Sequence, residues 1–130
     1  MSLVKAKKHL GQHFLTDKNI AAKIVNGLVH TDKYKQVLEV GPGMGILSDL
    51  LLERKDIETY LIDIDVESYH FLQQKYPQLG ERLINGDFLA LDLSAIFKEK
   101  YAIIGNFPYN ISSQILFKIL ENRQSVVEMV

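Results

Sequence analysis

The chain has 130 residues, 47% of them hydrophobic and 24% charged, with a net charge of −1 and no cysteine. That length fits one domain able to bury a sizeable core, and the missing cysteines exclude a disulfide scaffold and a thiolate metal site. The charge makes no global case for nucleic acid, and with no membrane-length apolar run and no secretory signal the expected location is cytoplasmic.

Lys5, Lys7, Lys8 and His9 precede the first acid, Asp17. Such an arm either touches phosphates or is a solvated tail. Gly11-Gln12-His13-Phe14-Leu15 follows neither a strand nor a helix period. It reads as a packed N-terminal segment or as a lid over the turn that comes later. Thr16 or Asp17 is a helix N-cap, and Ile20, Ala21, Ile24 and Leu28 form that helix's inner face.

The chain is organised around Val37-Leu38-Glu39-Val40-Gly41-Pro42-Gly43-Met44-Gly45. A short apolar run meets three alternate glycines and then a helical segment, 46–54, with Leu47, Leu50 and Leu51 on one side. This predicts strand, tight turn, helix, with the turn at the carboxyl end of a sheet where nucleotide-like ligands bind. The spacing is Gly-x-Gly-x-Gly, not the Gly-x-Gly-x-x-Gly of dinucleotide sites. Glu39 beside the turn suits a ligand with a positive end. S-adenosylmethionine fits that description: an amino acid head, a sulfonium and no phosphate.

Residues 58–64 predict a second strand ending in Asp63 and Asp65. Asp63 stands about 20 residues beyond the glycine turn, where an acid accepts both ribose hydroxyls. Asp65 fits better as the cap of the next helix, 66–76. Residues 83–85 form a short third strand, followed by Gly86-Asp87-Phe88. Asp87 either accepts from an adenine amine, with Phe88 near the ring, or closes an Asx turn. Asp92 and Ser94 begin a polar link, with a short turn over 95–98.

Residues 101–105 predict a fourth strand, apolar enough to be central in a parallel sheet. After Asn106-Phe107-Pro108-Tyr109, Ser112 or Ser113 caps a helix reaching Asn122, with Ile115, Leu116, Ile119 and Leu120 inward. Residues 125–130 begin a fifth strand. Repeated strand–helix alternation predicts an α/β, Rossmann-like parallel sheet of order 3-2-1-4-5 with helices on both faces. Such a sheet has an open edge strand and a bare helix face, so a fragment, or a chain with a missing partner, is expected.

The tetrapeptide carries chemistry. An exocyclic amine such as adenine N6 becomes a better nucleophile when acceptors hold both of its N–H groups. The Asn106 side-chain oxygen and the Phe107 carbonyl are such acceptors, and Pro108 brings no competing N–H. Tyr109 offers a face for base stacking. Alignment of amine, methyl carbon and sulfur then makes the transfer effectively intramolecular.

Gly11-Gln12-His13-Phe14-Leu15, Glu39-Val40-Gly41-Pro42-Gly43, Asp63-Ile64-Asp65, Gly86-Asp87 and Gly105-Asn106-Phe107-Pro108-Tyr109-Asn110-Ile111-Ser112 occur in the order and rough spacing of one family. From about Lys8 onward the chain resembles the ribosomal RNA adenine N6-dimethyltransferases of the small-subunit, KsgA type. The resemblance implies an S-adenosylmethionine-dependent fold and dimethylation of two adjacent adenines in a small-subunit rRNA hairpin loop. It implies His13 and Leu15 beside the methionine end of the cofactor, Gly41 at the turn, Asp63 on the ribose and Asp87 on the adenine amine. It implies Asn106 at the methyl-transfer point, positioning the target adenine together with Tyr109. His13 stands where many relatives have Asn, Asp63 where many have Glu, and Phe107 where Leu or Ile is usual. It also implies that residues 1–130 are the N-terminal part of the catalytic domain, without the family's C-terminal helical domain, and that rRNA is the partner. Other readings are a large-subunit methylase of the erythromycin-resistance type, a non-catalytic RNA-binding assembly factor, and a nicotinamide-dependent oxidoreductase, which the glycine spacing opposes.

Overall fold

Strand β1 (Gln36–Val40) is the centre of the molecule, because its residues are buried on both faces from Val37 onward. It pairs in parallel with β2 (Glu58–Asp63) on one side and β4 (Tyr101–Ile104) on the other. β3 (Leu83–Asn85) extends the sheet beyond β2, and β5 (Val126–Met129) extends it beyond β4. The observed order is β3-β2-β1-β4-β5, as expected from the alternation. In this computed structural model, residues 18–106 and 112–130 are described.

The helices are α1 (Lys18–Asn26), α2 (Ile46–Glu53), α3 (Val66–Lys75), α4 (Leu93–Ile96) and α5 (Ser112–Glu121), with a 3-10 segment over Pro77–Arg82. Strand residues alternate between faces, so neighbours in sequence enter different cores. Val37, Ala102 and Ile104 pack with Ala21, Val25, Leu47 and Leu51 of α1 and α2. Leu38, Val40, Ile62 and Ile103 pack on the opposite face with Phe88, Phe97, Ile115 and Ile119. Leu61, Leu72, Tyr76, Leu79 and Leu83 make a third cluster under α3.

Two helix faces differ from expectation. Ile115 and Ile119 are buried, but Leu116 and Leu120 are exposed, so α5 presents only one narrow stripe to the sheet. Ile20 is likewise exposed, whereas Ala21 and Val25 carry the contact of α1. Both helices offer two adjacent apolar stripes, and only one can meet a flat sheet. The connection from α1 to β1 is tied to the far edge strand: Glu128 Oε2 accepts from the Val29 and His30 amides at 3.1 and 2.8 Å and from the Tyr34 hydroxyl at 2.6 Å. Tyr101 stacks on Phe97 with ring centroids 4.3 Å apart. Its buried hydroxyl has no hydrogen-bond partner among the described residues, and burial pushes it up to about 12. Among the described residues, no helix is long and apolar enough to cross a membrane.

Candidate active site

The parallel sheet brings the carboxyl ends of β3, β2, β1 and β4 side by side. Asp87 lies two residues past β3, Asp63 ends β2, Gly41 follows β1, and Asn106 lies two residues past β4. These positions are in one row, and three inter-strand steps of about 4.8 Å make the row roughly 14 Å long. A nucleoside with an amino-acid arm is extended enough to lie along it.

The glycine turn has three left-handed residues, Gly41, Gly43 and Gly45, with φ of 70°, 60° and 90°. Their reasons differ. Gly41 is exposed, and a Cβ built there meets nothing within 4 Å, so a ligand can rest on bare backbone. Gly45 is buried, and a Cβ there would lie 2.6 Å from the Tyr76 hydroxyl oxygen. Tyr76 closes the back of the turn. Its hydroxyl hydrogen-bonds the Gly45 carbonyl at 3.0 Å and the Asp49 carboxylate, and burial pushes its pKa up. Lys75 Nζ reaches the Met44 carbonyl at 3.1 Å and Asp49 Oδ2 at 3.3 Å. Gly45 is the N-cap of α2, and its carbonyl accepts from Asp49 N at 2.8 Å. The amino-terminal end of α2, with its partial positive charge, therefore begins at the turn.

Glu39 departs from expectation. It is 1% exposed and turned toward Ser48 of α2, whose hydroxyl donates to Oε1. Burial pushes its carboxyl up to about 8, and the neighbouring acids Asp63 and Asp49 push the same way against the Ser48 bond. At 1% exposure the carboxyl offers almost no surface to a ligand resting on the turn. Its place between β1 and α2 makes it a brace for the turn.

Asp63 does sit at the end of β2, but it is 2% exposed. Its Oδ2 accepts from Gly43 N at 3.1 Å and its Oδ1 from Asp65 N at 2.9 Å. The side chain thus clasps the loops after β1 and β2 together. Burial raises its pKa, and the two amide bonds oppose that. Between the acids stands Ile64, 53% exposed, an apolar side chain at the mouth of the row. Asp65 caps α3 as expected, accepting from Ser68 N at 3.0 Å.

Asp87 is exposed, with Oδ1 accepting from Leu89 N at 2.9 Å in an Asx turn. Gly86 N and Asn85 Nδ2 both donate to the Asp63 carbonyl, at 3.0 and 2.9 Å, which fixes the start of this loop. Phe88 does not stand ready for a ligand ring: it is buried in the core beside Ile103, Ile115 and Ile119. Lys118 of α5, which the sequence reading passed over, donates to the Phe88 and Leu91 carbonyls. Asn106 is half-buried at the head of β4. His13, Leu15, Phe107, Pro108 and Tyr109 lie outside the described residues.

The strand order, the glycine turn at the head of the central strand and the row of polar groups beside it define the Rossmann-like fold of the S-adenosylmethionine-dependent methyltransferases. Residues 3–130 match the family described as ribosomal RNA adenine dimethylase, and the chain belongs to that family. It is 54% identical over 130 residues to ribosomal RNA small subunit methyltransferase A of Cytophaga hutchinsonii, covering all of this chain and 50% of that protein. The chain thus spans about half the length of the curated relatives it matches. The solved 23S rRNA methyltransferase ErmE is 27% identical with a TM-score of 0.70, over 90% of this chain and 47% of its own. A dimethyladenosine transferase from Plasmodium falciparum is 27% identical with a TM-score of 0.66, over 88% of this chain and 40% of its own.

Proposed function

We propose that the protein methylates adenine N6 in ribosomal RNA, using S-adenosylmethionine, and that its target is two adjacent adenines in a small-subunit hairpin loop. The observation that carries this reading is the single row Asp87, Asp63, Gly41 and Asn106 across four adjacent strand ends. The bare backbone at Gly41 takes the amino-acid arm, the clasped Asp63 lies beside the ribose, and exposed Asp87 meets the base amine. Ile64 supplies apolar cover for the ring. S-adenosylmethionine would supply an electrophilic methyl group: as the amine nitrogen bonds the methyl carbon, the carbon–sulfur bond would break, the neutral thioether would leave and the nitrogen would lose a proton. Asn106 holds that amine through its side-chain oxygen, the Phe107 carbonyl takes the second N–H, and Tyr109 stacks on the base. The family resemblance assigns His13 and Leu15 to the methionine end of the cofactor. A single-stranded loop is where a base can be splayed out for such a site.

The 54% identity to a small-subunit methyltransferase, against 27% to ErmE, favours the small subunit over the large one. With that reading go a place in ribosome assembly, in the cytoplasm, and a catalytic domain of which residues 1–130 are the N-terminal part.

Calorimetric titration tests the cofactor. S-adenosylmethionine binds saturably, NAD does not, and Asp63→Ala weakens the binding. Asn106→Ala retains cofactor binding but loses methyl transfer to undermethylated small subunits. NAD binding alone overturns the reading, and an Asn106→Ala protein with full biological effect turns it toward an assembly factor.

A further inference from the structure

Lys118 projects from α5 onto the loop that follows β3. Its ammonium donates to the Phe88 and Leu91 carbonyls and stands 5.1 Å above the centre of the Phe88 ring. The same loop carries Asp87, whose carbonyl accepts from Ala90 N at 3.0 Å and whose Oδ1 accepts from Leu89 N at 2.9 Å. The start of the loop is anchored through Gly86 N and Asn85 Nδ2 to the Asp63 carbonyl. Its far side is anchored by Lys118. The ammonium is partly removed from water, which lowers its pKa against the nearby charges of Asp87, Glu121 and Asp92. A methionine or leucine would cover Phe88 without that desolvation cost. What an apolar side chain lacks is the donors that fix two carbonyls at once.

We propose that Lys118 is a positioning residue for base selectivity: by pinning the Phe88 and Leu91 carbonyls, it holds Asp87 where it accepts from the exocyclic amine of the cofactor's base. The inference rests on the reading of Asp87 given above. It also links α5, which begins just beyond the 106–109 tetrapeptide, to the base end of the cofactor. A loop held at both ends keeps one carboxylate orientation. A loop held only at its start lets Asp87 turn away and meet the base through water.

The test is a ratio. S-adenosylhomocysteine and S-inosylhomocysteine differ along one base edge: the exocyclic amine donor becomes a carbonyl acceptor, and the adjacent ring nitrogen changes from an acceptor to an N–H donor. Calorimetric dissociation constants for both are measured on wild type, Lys118→Met and Lys118→Arg. Wild type prefers the adenosyl compound by about tenfold or more, the scale for a site built on a donor that its rival lacks. Lys118→Met reduces that ratio to less than about threefold, whereas Lys118→Arg, which keeps donors, retains it. A general loss of stability weakens both ligands and leaves the ratio alone. If wild type discriminates and Lys118→Met discriminates equally, the inference is overturned while the reading of Asp87 stands. If wild type does not discriminate, the reading of Asp87 fails and the inference with it. Should Lys118→Met fail to fold, Lys118→Leu, which covers Phe88 without a donor, takes its place, and an unchanged ratio there overturns the inference as well.

Discussion

Gly41 and Gly45 share a left-handed conformation but face opposite ways, and alanine at each should expose the difference. At Gly45 the backbone has φ 90° and ψ 23°, a region that costs a residue with Cβ about 1–2 kcal/mol. The new methyl carbon would also lie 2.6 Å from the Tyr76 hydroxyl oxygen, 3.2 Å from Cε2 and 3.3 Å from Leu72 Cδ2. Relief requires Tyr76 to move out of its bonds to Gly45 and Asp49, an overpacking cost of about 1–3 kcal/mol. Gly45→Ala should therefore lose roughly 2–5 kcal/mol, a large part of the total stability of a domain this size. At Gly41, φ is 70° and the added carbon meets nothing. Only the backbone term applies, and reduced entropy of the unfolded chain offsets part of it, leaving about 1 kcal/mol. Urea unfolding measures the stabilities and calorimetry the affinity for S-adenosylmethionine. Gly41→Ala should fold nearly normally and bind more than about tenfold more weakly, because in the proposed function its methyl stands in the path of the cofactor's amino-acid arm. In a double-mutant cycle, Tyr76→Phe should shrink the loss caused by Gly45→Ala. Equal stability losses at the two glycines would refute the assignment of one to ligand and the other to Tyr76.

Glu39 makes stability depend on pH. Burial holds its folded pKa at about 8, above the ordinary 4.5 of a glutamate, so its contribution is complete below about pH 4.5 and is lost as pH rises through about 8. Urea unfolding should show wild type falling by an amount on the order of a few kcal/mol relative to Glu39→Gln between pH 5 and 9; parallel curves would contradict the burial argument. Asp63→Asn replaces an acceptor of two amides with a group that has only one acceptor oxygen, and should cost about 1–3 kcal/mol in the same assay as well as affinity for cofactor. Tyr101→Phe removes a buried hydroxyl without a described partner, so thermal unfolding should show a gain of about 1 kcal/mol. A clear loss would mean that the hydroxyl has a partner outside the described residues.

The fold was legible because parallel strands buried on both faces read as apolar runs, and here each run ends at a turn or helix signal. Val37-Leu38, Leu61-Ile62 and Ala102-Ile103-Ile104 are of this kind, and the alternation with helices left few possible topologies. The inner face of α5 was less legible because Leu116 and Leu120 are as apolar as Ile115 and Ile119. Hydropathy does not say which of two adjacent stripes meets the sheet. The site's positions along the strand ends followed from the same alternation, but the orientation of its side chains did not. Glu39 reads in the sequence as a charge beside a ligand, whereas in the fold it faces the Ser48 hydroxyl. The partnerships of Tyr76 with Gly45 and of Lys118 with the Phe88 carbonyl join residues 31 and 30 positions apart. Neither has a local spacing rule that would reveal it.

The Glu128 knot bears on the order in which the chain can assemble during its own synthesis. The amides of Val29 and His30 wait for a carboxylate 99 and 98 residues later in the chain. At about 5–20 residues per second, that partner emerges roughly 5–20 s after them. Until then α1 has α2 to lean on, but its exit toward β1 lacks the anchor. The connection from α1 into β1 therefore acquires its final anchor only when β5 has joined the sheet. A nascent chain that stops short of Glu128 would hold its glycine turn formed while the stretch between α1 and β1 still lacked its tie.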